Sequence, residues 1–118
     1  MRASAQFDRV RTLGRQLPDV SEGTAYGSPA LKVRGKMFAC IAIHKSAEPN
    51  TLAVRMSFAE RDLRLAAQPQ VYYVTPHYEG HPVVLARLAR IGDEELTELL
   101  QVGWQFESSR AKARRRRG

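Results

Sequence analysis

The segment Met37–Ile43 reads Met-Phe-Ala-Cys-Ile-Ala-Ile, an unbroken apolar run of strand length. Alternation would place Met37, Ala39, Ile41 and Ile43 on one face and Phe38, Cys40 and Ala42 on the other. A strand apolar on both faces suits a central position in a sheet. That requirement excludes an all-helical chain and sets the search for partners. Ala30–Arg34 lies just upstream, across Gly35-Lys36, and reads as a neighbouring strand. Thr51–Met56 follows a polar turn, Lys45–Asn50, and alternates Leu52, Val54 and Met56 against Arg55. Val71–Val74 and Val83–Ala89 add two more strands, separated by a loop containing Pro76, Gly80 and Pro82.

Helices are read around these strands. Phe7, Val10, Leu13 and Leu17 recur at helical spacing behind a capping Ser4, and Pro18 ends that helix. Val20–Ser28, with Gly23 and Gly27, reads as a connection. Ser57-Phe58-Ala59-Glu60 is a capping-box pattern and predicts a helix to about Ala67, stopped by Gln68-Pro69. Gly92-Asp93-Glu94-Glu95 opens the last helix with a capping aspartate and acids suited to its positive end. Leu96, Leu99, Leu100, Gly103 and Trp104 share its sheet-facing side. The order is α-β-β-β-α-β-β-α. Short connections favour antiparallel pairing. The expectation is an α+β two-layer sandwich: a mostly antiparallel sheet of about five strands with helices on one face.

The 118 residues suffice for one domain, taken as residues 1–109, followed by a basic tail over residues 110–118. The formal net charge of +7 is concentrated in that tail. Arg110, Lys112, Arg114, Arg115, Arg116 and Arg117 contribute six positive charges with no acid among them. Without them 13 basic residues face 12 acidic ones, and the body is nearly neutral. Ala111–Ala113 continues the last helix, whereas four adjacent arginines repel one another and favour disorder. No apolar run approaches the ~20 residues of a membrane span. The N-terminus has no apolar segment behind Arg2, and Cys40 is the only cysteine. The expectation is a cytoplasmic protein without internal disulfides and without a membrane partner.

Several stretches resemble the MmcQ/YjbR family. They are Leu17-Pro18, Glu22-Gly23, Tyr26–Val33, Gly35–Ala39, Pro69, Val71–Val74, Pro76-His77-Tyr78 and Gly103-Trp104. The resemblance spans Phe7–Trp104, with Glu22–Ala39 its most specific part. It implies a two-layer α/β fold and a DNA-binding module, with Glu22, Tyr26, Gly27, Lys32, Tyr72, His77 and Tyr78 as the family-motif surface. The fold is also similar to secretion-chaperone-type protein-binding domains. Gly103 stands where the family more often has alanine, and the arginine run lies outside the family pattern. The tail's role is therefore not inherited from the resemblance.

Candidate chemistry is sparse. Tyr26-Gly27-Ser28-Pro29 reads first as a structured turn, with Gly27 at positive φ and the Tyr26 ring packed over the sheet edge. Glu22 and Lys32 read as a polar pair beside it. His77, Glu79 and His81 cluster but lack a fourth ligand at a metal-site spacing, so no metal and no cofactor is implied. Cys40 reads as a buried core residue, not an activated nucleophile, and no serine elbow or phosphate-binding glycine loop is present.

The chain reads as a non-catalytic binding protein. Candidate contacts to double-stranded DNA or another polyanion are Arg34, Lys36, Lys45 and Arg55 in the body, with Arg110, Lys112 and Arg114–Arg117 in the tail. Further body cations, Arg61, Arg64, Arg87 and Arg90, and stacking tyrosines, Tyr72, Tyr73 and Tyr78, are weaker candidates. The alternative is a protein-binding adaptor of chaperone type without nucleic-acid binding. A third possibility is a small-molecule site between the sheet and the Tyr26 and His77 loops.

Overall fold

The computed structural model describes residues 2–117, with side-chain environments for residues 6–110. Two consecutive tight turns organise its first half. Tyr26 and Gly27 sit at φ 55° and 80°, and Arg34 and Gly35 at 52° and 81°. Such left-handed pairs close two-residue hairpins whose twist matches the flanking strands. They join β1 (Val20–Ala25), β2 (Ser28–Val33) and β3 (Lys36–Ile41) into an antiparallel meander. The remaining elements are α1 (Arg2–Gly14), β4 (Thr51–Arg55), α2 (Phe58–Ala67), β5 (Tyr72–Tyr73), α3 (Pro76–Glu79), β6 (Val83–Arg87) and α4 (Asp93–Arg117). The sheet order is β1-β2-β3-β4-β6-β5, with every neighbouring pair antiparallel.

The α+β class and the antiparallel sheet agree with the sequence reading; the strand count is corrected from five to six. The added strand is β1, read above as a connection. Ser21, Glu22, Gly23 and Thr24 are all exposed, so β1 lacks the apolar alternation that marks a half-buried strand. Its pairing with β2 makes it a strand, at a sheet edge where a charged residue such as Glu22 is tolerated. The Thr75–Pro82 loop contains the short helix α3. Ser4 lies within α1, not at its cap, and α1 ends at Gly14.

One face of the sheet carries the larger core. Phe7 and Val10 of α1, and Leu96, Leu99 and Leu100 of α4, pack on Leu31, Val33, Leu52, Val54, Val84 and Ala86. Burial of a Leu- or Phe-sized side chain contributes about 1.5–3 kcal/mol, so this interface dominates the fold. Gly103 lets α4 approach the centre of the sheet, and Trp104 Nε1 donates to Pro18 O at 2.8 Å. The predicted sheet-facing side of α4 is therefore the observed one.

Central strand β3 departs from simple alternation. A register shift opposite Leu31 and Lys32 inserts an extra residue. Phe38 joins Ala39 and Ile41 in the helix-side core, while Met37 packs with Cys40 and Ala42 on the other face. A β-bulge reverses the faces taken by the residues before it, which corrects the predicted placement of Met37 and Phe38.

Helix starts follow local chemistry in part. Glu60 N donates to Ser57 Oγ at 3.1 Å, as the capping pattern predicts. The Glu60 carboxylate turns instead to Arg64, 3.4 Å away. Asp93 is the first residue of α4, and Arg9 takes its carboxylate at 2.8 Å, so it serves as an ion-pair partner more than as a cap.

Candidate binding surfaces

The cations named from sequence as DNA contacts are scattered, and most are engaged inside the fold. Arg55 Nε donates to Glu107 Oε2 at 2.9 Å, and that carboxylate is only 6% exposed. Arg34 lies 3.5 Å from Asp19. Arg61 is buried, its Nη1 donating to the carbonyls of Glu79 and His81 at 3.1 Å. Arg64 donates to the Tyr72 hydroxyl at 3.1 Å. Arg87 grips both Glu48 oxygens at 2.9 Å and covers the Tyr73 ring. Lys36 and Lys45 are exposed, but Lys36 opens β3 and Lys45 lies beyond its other end. Arg110 lies 3.5 Å from Glu107, so two guanidinium groups share one buried carboxylate. The side chains of Lys112 and Arg114–Arg117 lie outside the described ones; the backbone of α4 runs on through Arg117.

The family-motif residues also separate. Glu22 pairs with Arg11 and Arg15 at 2.8 and 3.2 Å, not with Lys32, which corrects the expected pair. Lys32 lies across the backbone of Gly23. Tyr72 is buried, and its hydroxyl donates to Glu95 at 2.5 Å. Gly27 takes the positive φ expected of it, but the Tyr26 ring is 85% exposed and does not pack over the sheet edge. Tyr72 and Tyr73 point their hydroxyls into internal hydrogen bonds, so they offer no stacking array with Tyr78.

Tyr26, His77 and Tyr78 do meet, on the sheet face opposite α1 and α4. There a cavity of about 350 Å³ opens between the sheet, α3, the 42–44 segment and the Tyr26 turn. Its depth comes from register. Cys40 pairs with Ala53, which puts two small side chains side by side beneath it. His77 stacks on His44 with centroids 3.5 Å apart and planes 8° from parallel. Tyr78 meets His77 edge-on at 4.8 Å. Ser46 N donates to His44 Nδ1 at 3.1 Å, and the Ser46 and Thr75 hydroxyls lie 2.8 Å apart, tying the two walls together.

Desolvation is the main influence on three groups that line this cavity, His44, Tyr78 and Cys40. Burial, with smaller contributions from His77 and Lys45, lowers the His44 pKa and favours the neutral ring. Burial raises Tyr78 as well. Cys40 is pushed up to about 11, burial outweighing the attraction of Arg55. A thiol that stays protonated at neutral pH is a poor nucleophile. Among the described residues no group of three His, Cys, Asp or Glu side chains is placed to hold a metal ion; His77 is occupied by His44 instead of joining Glu79 and His81.

A family model described as YjbR matches residues 15–106. The uncharacterized protein Rv2570 of Mycobacterium tuberculosis is 43% identical over 44 residues, which are 37% of this chain and 34% of that protein. The uncharacterized protein Mb2600 of Mycobacterium bovis matches to the same extent. The chain thus spans about a third of the length of these curated relatives. The crystal structure of Deinococcus radiodurans protein DR2400, carrying domain DUF419, superimposes with a TM-score of 0.65 at 23% identity. That match covers 83% of this chain and 75% of the other, and it supports the fold. Among the described residues no helix is long and apolar enough to cross a membrane.

Proposed function

Because the chain belongs to the YjbR family, we propose that it is a non-catalytic binding module that engages double-stranded DNA through phosphate contacts from the basic end of α4. The observation that carries this reading is the division of labour among the cations. In the body, Arg9, Arg11, Arg55, Arg61, Arg64 and Arg87 hold carboxylates or backbone carbonyls together. Charges neutralised in this way release few counterions from DNA. The α4 helix packs its first part on the sheet and then continues in a single 25-residue element through Arg117. Its last turns are composed of the six-cation segment, which has no acidic residue of its own. Contacts of this kind bind phosphate with little base preference.

The test is fluorescence anisotropy with a short duplex, for the full chain and for a chain ending at Ser109. The full chain binds at low salt and the shortened chain loses most of that affinity. Failure of the full chain to bind at low salt sinks the reading. Equal binding by both transfers the activity to the body.

A further inference from the structure

The cavity on the sheet face opposite α1 and α4 has the size, lining and charge of a ligand site unrelated to the phosphate contacts of α4. Its volume of about 350 Å³ falls within the range of small-molecule sites. The floor is made by Cys40 and Ala53, and the walls include the His77 and Tyr78 rings. Among the described residues no carboxylate lines it, and one permanent cation, Arg55, does. Arg55 follows Ala53 by two residues on β4, on the same face and about 7 Å along the strand.

Arg55 is held by its Nε, which donates to Glu107. Among the described residues its two terminal nitrogens make no hydrogen bond, although the side chain is only 23% exposed. Glu107 is shared with Arg110, so the cluster keeps an excess positive charge. A fixed guanidinium with unused donors beside an apolar floor selects an anion attached to an apolar group.

We infer that this cavity binds a small aromatic monocarboxylate, its ring on the Cys40–Ala53 floor beside His77 and its carboxylate on the terminal nitrogens of Arg55. A dicarboxylate or a bare phosphate would leave the floor unfilled, and a neutral arene would leave the Arg55 donors unused.

The full chain, ¹⁵N-labelled, is titrated with 2-naphthoate and with uncharged 2-naphthamide. Naphthoate binds saturably, the largest shifts fall on the amides of Cys40, Ala53, Arg55 and His77, and naphthamide binds at least tenfold more weakly. Arg55→Gln removes the difference between the two probes. Ala53→Leu weakens both by filling the floor; should that variant unfold, Ala53→Val carries the same expectation. Absence of saturable binding, shifts centred on the end of α4, or equal affinity for the two probes overturns the inference. None of these outcomes depends on whether the chain binds DNA.

Discussion

Gly103 of α4 and Val54 of β4 are so close that a β-carbon on Gly103 would stand 2.7 Å from Val54 Cγ1. The same β-carbon would lie 3.1 Å from Phe38 O and 3.2 Å from Arg55 O. The residue that departs from the family's usual alanine is thus the one with no room for a methyl group. Helix propensity favours Gly103→Ala by about 1 kcal/mol, while overpacking a rigid core costs about 1–3 kcal/mol. Two of the obstacles are backbone carbonyls and the third belongs to a stiff β-branched side chain, so packing wins. Gly103→Ala lowers unfolding free energy in urea by about 1 kcal/mol. Combined with Val54→Ala, the loss is smaller than the sum of the single losses. A more stable Gly103→Ala protein would show that α4 can move away from the sheet at no cost.

Arg61 supports α3 and β6. Its guanidinium reaches the carbonyls of Glu79, His81 and Val83 at 3.1, 3.1 and 3.4 Å, and it lies over the Phe58 ring. Arg61→Met leaves those carbonyls without their donor, a loss of about 2–3 kcal/mol. Arg61→Lys recovers less than half, because its shorter side chain stops short of the position of Nη1, from which all three contacts are made, and it loses the planar stacking on Phe58. Thermal unfolding of the two variants checks both statements. Wild-type stability in Arg61→Met would show that solvent satisfies the three carbonyls.

Cys40 is pushed up to about 11 from 9.0 by burial, so at pH 8 its thiolate is roughly a hundredfold scarcer than that of an exposed cysteine. Labelling by a disulfide reagent is correspondingly slow in the native protein and fast in urea. The folded state holds this proton over a range where the unfolded state releases it. Stability therefore falls as pH rises through 9 toward 11, the loss being complete only above the folded value. Native labelling as rapid as in urea would place Cys40 at an open surface.

Salt separates the tail from the body. Six phosphate contacts give a slope of log K against log salt of about −5. A chain ending at Ser109 has a slope near zero if the body's cations are as fully engaged as their ion pairs indicate. A shortened chain that keeps a slope of about −2 would assign two phosphate contacts to exposed Lys36 and Lys45.

The central strand, the third and last strands, and the helix after Ser57 were all legible, because their signals are local. Apolar runs, turn residues and caps act on near neighbours in the chain. The exposed strand Val20–Ala25 was hidden, because its sequence lacks the apolar alternation and only pairing with Ser28–Val33 orders it. The positive φ of Gly27 could be read from residue type. That Tyr26 and Arg34 would also turn left-handed could not, since side chains with a β-carbon enter that region when a hairpin demands it.

Composition and order alone established a mixed fold built on a central apolar strand, and a nearly neutral body with its excess charge at one end. Those properties depend on residues adjacent in the chain. Tertiary structure alone decided how the arginines are paired: Arg55 meets Glu107 only when α4 crosses the sheet, and Arg87 meets Glu48 only when β4 and β6 pair. It also decided the cavity. Cys40 and Ala53 stand thirteen residues apart and are unremarkable singly. Antiparallel register sets them side by side, and the space above these two small side chains is the cavity.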